Sequence, residues 1–135
     1  MTTSRLDIPW WALRIALGAT AFLAGLDKFF NLLADWPAYL SPLALSVVPV
    51  SAATFMHVAG VIEIVAGLAL LAGFTRVFGY IVSLWLVGIA LNLLTTGHYF
   101  DIAVRDLNMA VAAFTLAKLT EARQALSPQR LSAAA

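Results

Sequence analysis

A carboxylate near the middle of an apolar, span-length stretch is the residue of this chain that most needs a chemical explanation. Glu63 lies close to the centre of residues 52–72, on the same helical face as Gly60 and Gly67. An unpaired carboxylate at that depth is expensive, so it must be paired, protonated or hydrated. Arg14 is the partner that depth predicts. At 1.5 Å per residue, Arg14 lies roughly 9 Å inside its end of the first apolar stretch and Glu63 roughly 15 Å inside its own, a gap two long side chains can close. The chemistry such a pair could perform is a proton relay or a hydrogen bond to a bound quinone. The structural alternative is a static ion pair that holds two helices in register.

A second group of ionisable residues belongs to the opposite rim. Arg14, Gly18, Ala21, Gly25 and Lys28 form one narrow stripe of the first stretch, with a cation at each end, so this stripe should face protein. Lys28 then ends at the level where Arg105 and Asp106 open the last stretch, which predicts a Lys28 pair with Asp106 or Asp101. A polar pocket there would bind an anion or a quinone headgroup, with Lys28 and Arg105 as donors. The structural alternative for Asp106 is a helix cap. Asp27 falls almost opposite the stripe and is expected at the rim in water.

His57 and His98 both belong to that same half and invite a bis-histidine haem or metal site. No usual ligand spacing joins them, and His57 is about 120° around the helix from Glu63. A hydrogen-bonded histidine at the interface is the better reading, and His57 is retained as a ligand-binding candidate without a metal. Asn92 and Asn108 read as interhelical hydrogen-bonding residues, and Trp85, Phe78 and Phe114 as packing or lipid contacts.

These residues are set in a chain that is 62% hydrophobic and 11% charged, with a mean hydropathy of +0.92. Soluble domains are about 45–50% apolar and 25% charged, so the composition indicates an integral membrane protein in contact with the lipid bilayer. The pattern predicts an all-α bundle of four transmembrane helices, over residues of about 10–30, 52–72, 77–94 and 106–120, in one membrane domain spanning 1–135. Trp10, Trp11, Phe29 and Phe30 bracket the first span as an interfacial belt, and Arg14 argues against a cleaved signal peptide. Pro37, Pro42 and Pro49 exclude a straight helix over the connection, yet Trp36, Tyr39 and Leu40 are too apolar for an ordinary loop. A short interfacial or re-entrant segment is expected at about 36–48, with Ser41 capping a helical turn that starts at Pro42. Arg5, Arg76, Lys118, Arg123 and Arg130 collect on one side, against Lys28 and Arg105 on the other, so both termini are expected in the cytoplasm.

Cysteine is absent, which excludes disulfides, thiolate metal sites and a thiol relay of the chain's own. A net charge of +1 with no basic patch gives no reason to expect nucleic acid as a partner.

The stretches LRIALGATAFLAGLDKFF, HVAGVIEIVAGLALLAGFTR and RDLNMAVAAFTLA carry a resemblance to the DoxX family of small bacterial and archaeal membrane proteins. The matching positions are Arg14, Gly18, Gly25 and Lys28 in the first, Gly60, Glu63, Gly67, Gly73 and Arg76 in the second, and the third begins at Arg105. The resemblance implies a four-helix membrane bundle with both termini inside, in a bacterial or archaeal cytoplasmic (inner) membrane. It also implies a tie to redox complexes, since some members resemble a membrane subunit of thiosulfate:quinone oxidoreductase. Distantly similar bundles reduce quinones with a cysteine pair, and that mechanism does not carry over to a chain without cysteine.

The function expected from these readings is a membrane subunit that supports a redox protein partner, with no intrinsic cofactor and a quinone as the ligand. Glu63 and Arg14 would handle a proton or a quinone oxygen, and Lys28, Arg105, Asp106 and His57 would bind at the mouth. The alternatives are a non-catalytic membrane anchor or assembly subunit, and a small transporter.

Overall fold

Gly73 shows how the local sequence builds the bundle. Its φ of 111° lies in the left-handed region that ends a helix, and its N–H and that of Phe74 return to the carbonyls of Leu70 and Ala69. Thr75 begins the next helix at once, so two span-length helices are forced into an antiparallel hairpin. The computed structural model describes residues 5–33, 35–47 and 49–134. Its elements are α1 (Asp7–Asp27), a 3₁₀ turn (Trp36–Tyr39), α2 (Pro42–Val47), α3 (Ala52–Ala72), α4 (Thr75–Thr95) and α5 (Phe100–Ala134), with no strand among the described residues.

The boundaries differ from expectation at two places. α1 lies three residues earlier than expected at both ends; it stops at Asp27 because that carboxylate accepts hydrogen bonds from the Leu32 and Leu33 N–H groups and so turns the chain. Asn31, at φ 54°, occupies the left-handed position of that turn. α5 runs well beyond residues 106–120 at both ends. Ser41 does cap α2, accepting from the Ala44 N–H at 3.1 Å, and Ser51 caps α3 in the same way.

Among the described residues, three helices are long and apolar enough to cross a membrane: α1, α3 and α4. α5 falls outside that set because Arg105, Asp106 and Lys118 interrupt it. Its apolar residues form a stripe that includes Ala103, Ala113, Leu116 and Ala117, all completely buried.

Packing follows from small residues. Glycines two helical turns apart occur in both α1 (Gly18, Gly25) and α3 (Gly60, Gly67), and the antiparallel helices match them in register. A Cβ placed on Gly25 would lie 2.6 Å from the Gly60 carbonyl oxygen, and one on Gly67 would lie 2.6 Å from the Phe22 nitrogen. α4 and α5 approach similarly, with Gly79 against Ala113 and Ala117. The core joining the two helix pairs is built from Trp10, Leu17, Ala66, Leu70, Val82, Leu86, Ala110, Ala113 and Leu116. Large apolar side chains such as Ile8, Leu84 and Val111 point outward, the distribution of a protein whose surroundings are lipid.

Candidate functional site

The register of α1 against α3 decides which cation meets Glu63. Gly18 lies opposite Gly67 and Gly25 opposite Gly60, so Arg14 comes level with the last turn of α3 and Lys28 with its first half. Helical side chains lean toward the N-terminus of their own helix. In an antiparallel pair, Lys28 therefore leans into the bundle and Glu63 leans up to meet it, whereas Arg14 leans away. The Lys28 Nζ lies 2.8 Å from Glu63 Oε2, with the two side chains only 6% and 9% exposed. The expected contact between Arg14 and Glu63 is not made.

Arg14 instead closes the C-terminus of α3. Its Nε donates to the Leu70 carbonyl at 3.1 Å and its Nη2 to the Leu71 carbonyl at 2.6 Å, satisfying two acceptors that helix geometry leaves open. The guanidinium also lies 4.9 Å from the ring centre of Trp10 and 4.4 Å from that of Trp11. Replacing it, as in Arg14→Leu, is expected to destabilise the bundle by about 2 kcal/mol, from charge-assisted hydrogen bonds and the helix dipole. Thermal unfolding in detergent checks this. An unchanged midpoint would remove Arg14 from the account of stability.

Around the buried pair, other residues complete the coordination. The Trp85 indole Nε1 donates to Glu63 Oε1 at 3.1 Å, so each carboxylate oxygen has a donor. The Trp36 ring lies over the Lys28 ammonium at 3.9 Å from its centre, a cation–π contact. Asp106, half-buried, lies within Coulombic reach of both Glu63 and Lys28. The expected Lys28 ion pair with Asp106 or Asp101 is replaced by the one with Glu63. Asp101 is 3.8 Å from Arg105, and both are more than two-thirds exposed.

Asp27 is buried, not solvated: besides capping Leu32 and Leu33, it accepts from Trp36 Nε1 at 2.9 Å. Its placement opposite the stripe was legible, but the turn that folds back over it was not. Trp85, expected as a packing or lipid contact, is a hydrogen-bond donor to Glu63. The signal that could have found it is its indole N–H, which needs an acceptor when it faces an apolar bundle interior. His57 is exposed and stacks on Phe29 at 4.9 Å, and His98 is exposed in the α4–α5 connection. Among the described residues no three potential metal ligands come together.

The opposite rim is a separate polar network. Trp10 Nε1 donates to Thr120 Oγ1 at 2.9 Å, and Thr120 itself donates to the Leu116 carbonyl, so Thr75 is the donor in its 2.7 Å contact with Thr120. Arg123 pairs with Asp7 at 3.0 Å and covers Trp10 at 3.7 Å. The Tyr80 hydroxyl donates to Glu121, and this, with Lys118 beside it, holds the Glu121 carboxyl below its ordinary range. Arg130 lies outside the residues whose side chains are described.

Comparison with curated proteins and comparison with solved structures each give no match. A family model, DoxX, matches residues 10–98, about two thirds of the chain. A match that runs through all three span-length apolar helices and both partners of the buried ion pair shows that the chain belongs to the DoxX family.

Proposed function

We propose that this DoxX-type integral membrane protein is a subunit supporting a redox complex, in which Lys28, Glu63 and Asp106 handle a proton or an oxygen of a quinone. The observation that carries the reading is the Lys28–Glu63 ion pair, whose side chains are only 6% and 9% exposed; the half-buried Asp106 adds a carboxylate that interacts electrostatically with both. One cation and two carboxylates can take up or release a proton while the net charge stays between −1 and zero, which limits the electrostatic cost in a low-dielectric interior. Buried ionisable groups inside a membrane bundle are functional candidates on these grounds.

The residues suit a quinone chemically. Lys28 and Trp85 are the donor types a carbonyl oxygen accepts from, and Trp36 offers an aromatic face. The quinone would supply the two-electron chemistry that no side chain of this chain provides. Lys28 and Trp85 would orient the oxygen, and Glu63 or Asp106 would hold the proton.

In the same proposal α5 crosses the bilayer as the fourth span over about residues 106–120, with its charges at the ends or facing protein. Both termini then lie in the cytoplasm of a bacterium or archaeon, on the side of Arg5, Arg76, Lys118 and Arg123.

The test is Glu63→Gln in the native membrane. Glutamine keeps the shape, and its one amide oxygen can still accept from Lys28 while the bond from Trp85 is lost, so the bundle and its complex are expected to remain assembled at a lower melting temperature. Quinone-linked turnover should fall by about 100-fold, in the range that general acid–base groups contribute. A second reading, a non-catalytic anchor, is favoured by one observation: among the described residues, no buried side-chain nitrogen or oxygen lacks a hydrogen-bond partner. Turnover that survives Glu63→Gln, with only a lower melting temperature, would decide for the anchor.

A further inference from the structure

The chain between α1 and α2 is held by side chains whose positions suit a latch better than a core. At its start, the buried Asp27 carboxylate binds Leu32 N–H, Leu33 N–H and the Trp36 indole together. At its end, Asn92 on α4 grips the backbone from both sides, accepting from Ser41 N–H at 3.0 Å and donating to the Tyr39 carbonyl at 2.7 Å. Between these points Leu32 and Leu33 are strongly exposed, and Trp36 and Tyr39 are only half-buried. Leu40, at the Asn92 end, is buried and anchors the segment there, whereas Leu32, Leu33 and Trp36 bury little apolar surface, so the part nearer Asp27 opens at low free energy once its hydrogen bonds are broken. Trp36 is the residue the first latch positions, and its ring covers the Lys28 ammonium.

We propose that Trp36 is a lid on the Lys28–Glu63 pair, and that Asp27 and Asn92 are positioning residues that keep it shut. The pair is then reached from the end of the bundle where α1 stops and α5 begins, by lifting the 3₁₀ turn, with the helices staying packed. The inference rests on the reading of this pair as a site, since a lid on a purely structural ion pair has nothing to admit. A ligand that supplies an aromatic ring would take the place of Trp36 over Lys28 when the lid lifts, and a hydrogen-bond acceptor on it would take an ammonium N–H not used by Glu63.

Lysine chemistry tests this directly, because the chain holds only two lysines, Lys28 and Lys118. Lys118, at the other rim with a side chain 55% exposed, is an internal standard. The full-length protein in detergent is treated with a water-soluble acetylating reagent, and the labelling rates of both lysines are followed by mass spectrometry. In the native sequence Lys28 should label far more slowly than Lys118. Asp27→Ala, Asn92→Ala and Trp36→Leu should each raise the Lys28 rate at least about tenfold relative to Lys118, the scale set by losing one or two charge-assisted or buried hydrogen bonds or the ring itself.

Thr120→Val, which breaks the polar network of the opposite rim, should leave the Lys28 rate unchanged. Trp36→Leu removes the ring and its one indole bond to Asp27 but leaves the Asp27 bonds to Leu32 and Leu33 and both Asn92 bonds in place, so it keeps the test open if Asp27→Ala does not fold. Native labelling rates in all three variants would overturn the lid, as would an equal rise in Thr120→Val, which would mean general loosening. Because labelling does not depend on turnover, a failed lid and a failed redox role give separate results.

Discussion

Lys28→Met is expected to be the most damaging single substitution of a charged residue in this protein, lowering stability by about 3–5 kcal/mol. The loss would not come from the strength of the ion pair itself. It would come from Glu63, left in the bundle with Trp85 as its remaining donor and no cation against it. The net contribution of a buried pair is small, because its desolvation offsets most of its attraction. The double variant Lys28→Met/Glu63→Met should therefore recover to within about 2 kcal/mol of the native protein, or exceed it. Unfolding of the native chain, both single variants and the double variant in mixed micelles measures the coupling. A single variant as stable as the native chain would show that the carboxylate does not depend on Lys28. A double variant no better than Lys28→Met would assign the loss to the ammonium's contact with the Trp36 ring, which both variants lack.

Gly67→Ile should have an effect of similar size by a different cause. A Cβ at this position meets Phe22 N at 2.6 Å, Gly18 O at 2.7 Å and Phe22 Cα at 3.0 Å, all of them backbone atoms. No rotamer change can relieve the clash, so α1 and α3 must separate along the contact that sets their register. The cost is expected to reach about 3 kcal/mol or more, the upper range for overpacking. It should also disturb the Lys28–Glu63 pair, which the same register aligns. Gly88 is the control: a Cβ there meets nothing within 4 Å, and Gly88→Ala should be neutral or gain up to about 1 kcal/mol of helix propensity. Equal melting temperatures for Gly67→Ile and the native protein would mean that the glycine contact is not tight. The two effects are separable, since the lysine variant leaves the helix contact intact and the glycine variant leaves every charge in place.

These two predictions share a physical origin with what could be read along the chain and what could not. The small-residue stripes were legible, because helical periodicity alone puts Gly18 and Gly25 on one face and Gly60, Glu63 and Gly67 on another. The cap at Ser41 was legible too, because proline and serine act on their immediate neighbours. So were three of the apolar span-length helices, within a few residues. α5 was seen only in its central part, since its amphipathic flanks carry no hydropathy signal.

The partner of Glu63 was not legible in the same way. Depth counted along separate helices treats Arg14 and Lys28 as competitors, and only the antiparallel register and the N-terminal lean of side chains decide between them. Trp85 reaches the pair from α4, at a sequence distance where no local pattern operates. Asp27 shows the same limit over a shorter range: its position on the helix was readable, but the return of the chain through Asn31 to Trp36 buried it.

The sequence by itself thus determined the membrane class, the helices and the faces that must be covered, because these depend on composition and on a periodicity of 3.6 residues. Tertiary structure decided which cation neutralises the buried carboxylate and which aromatic ring closes over it. The first choice depends on how two helices slide against each other, which glycine-to-backbone contacts in this chain set to within a fraction of a turn, and the second on the turn that brings Trp36 back to Asp27.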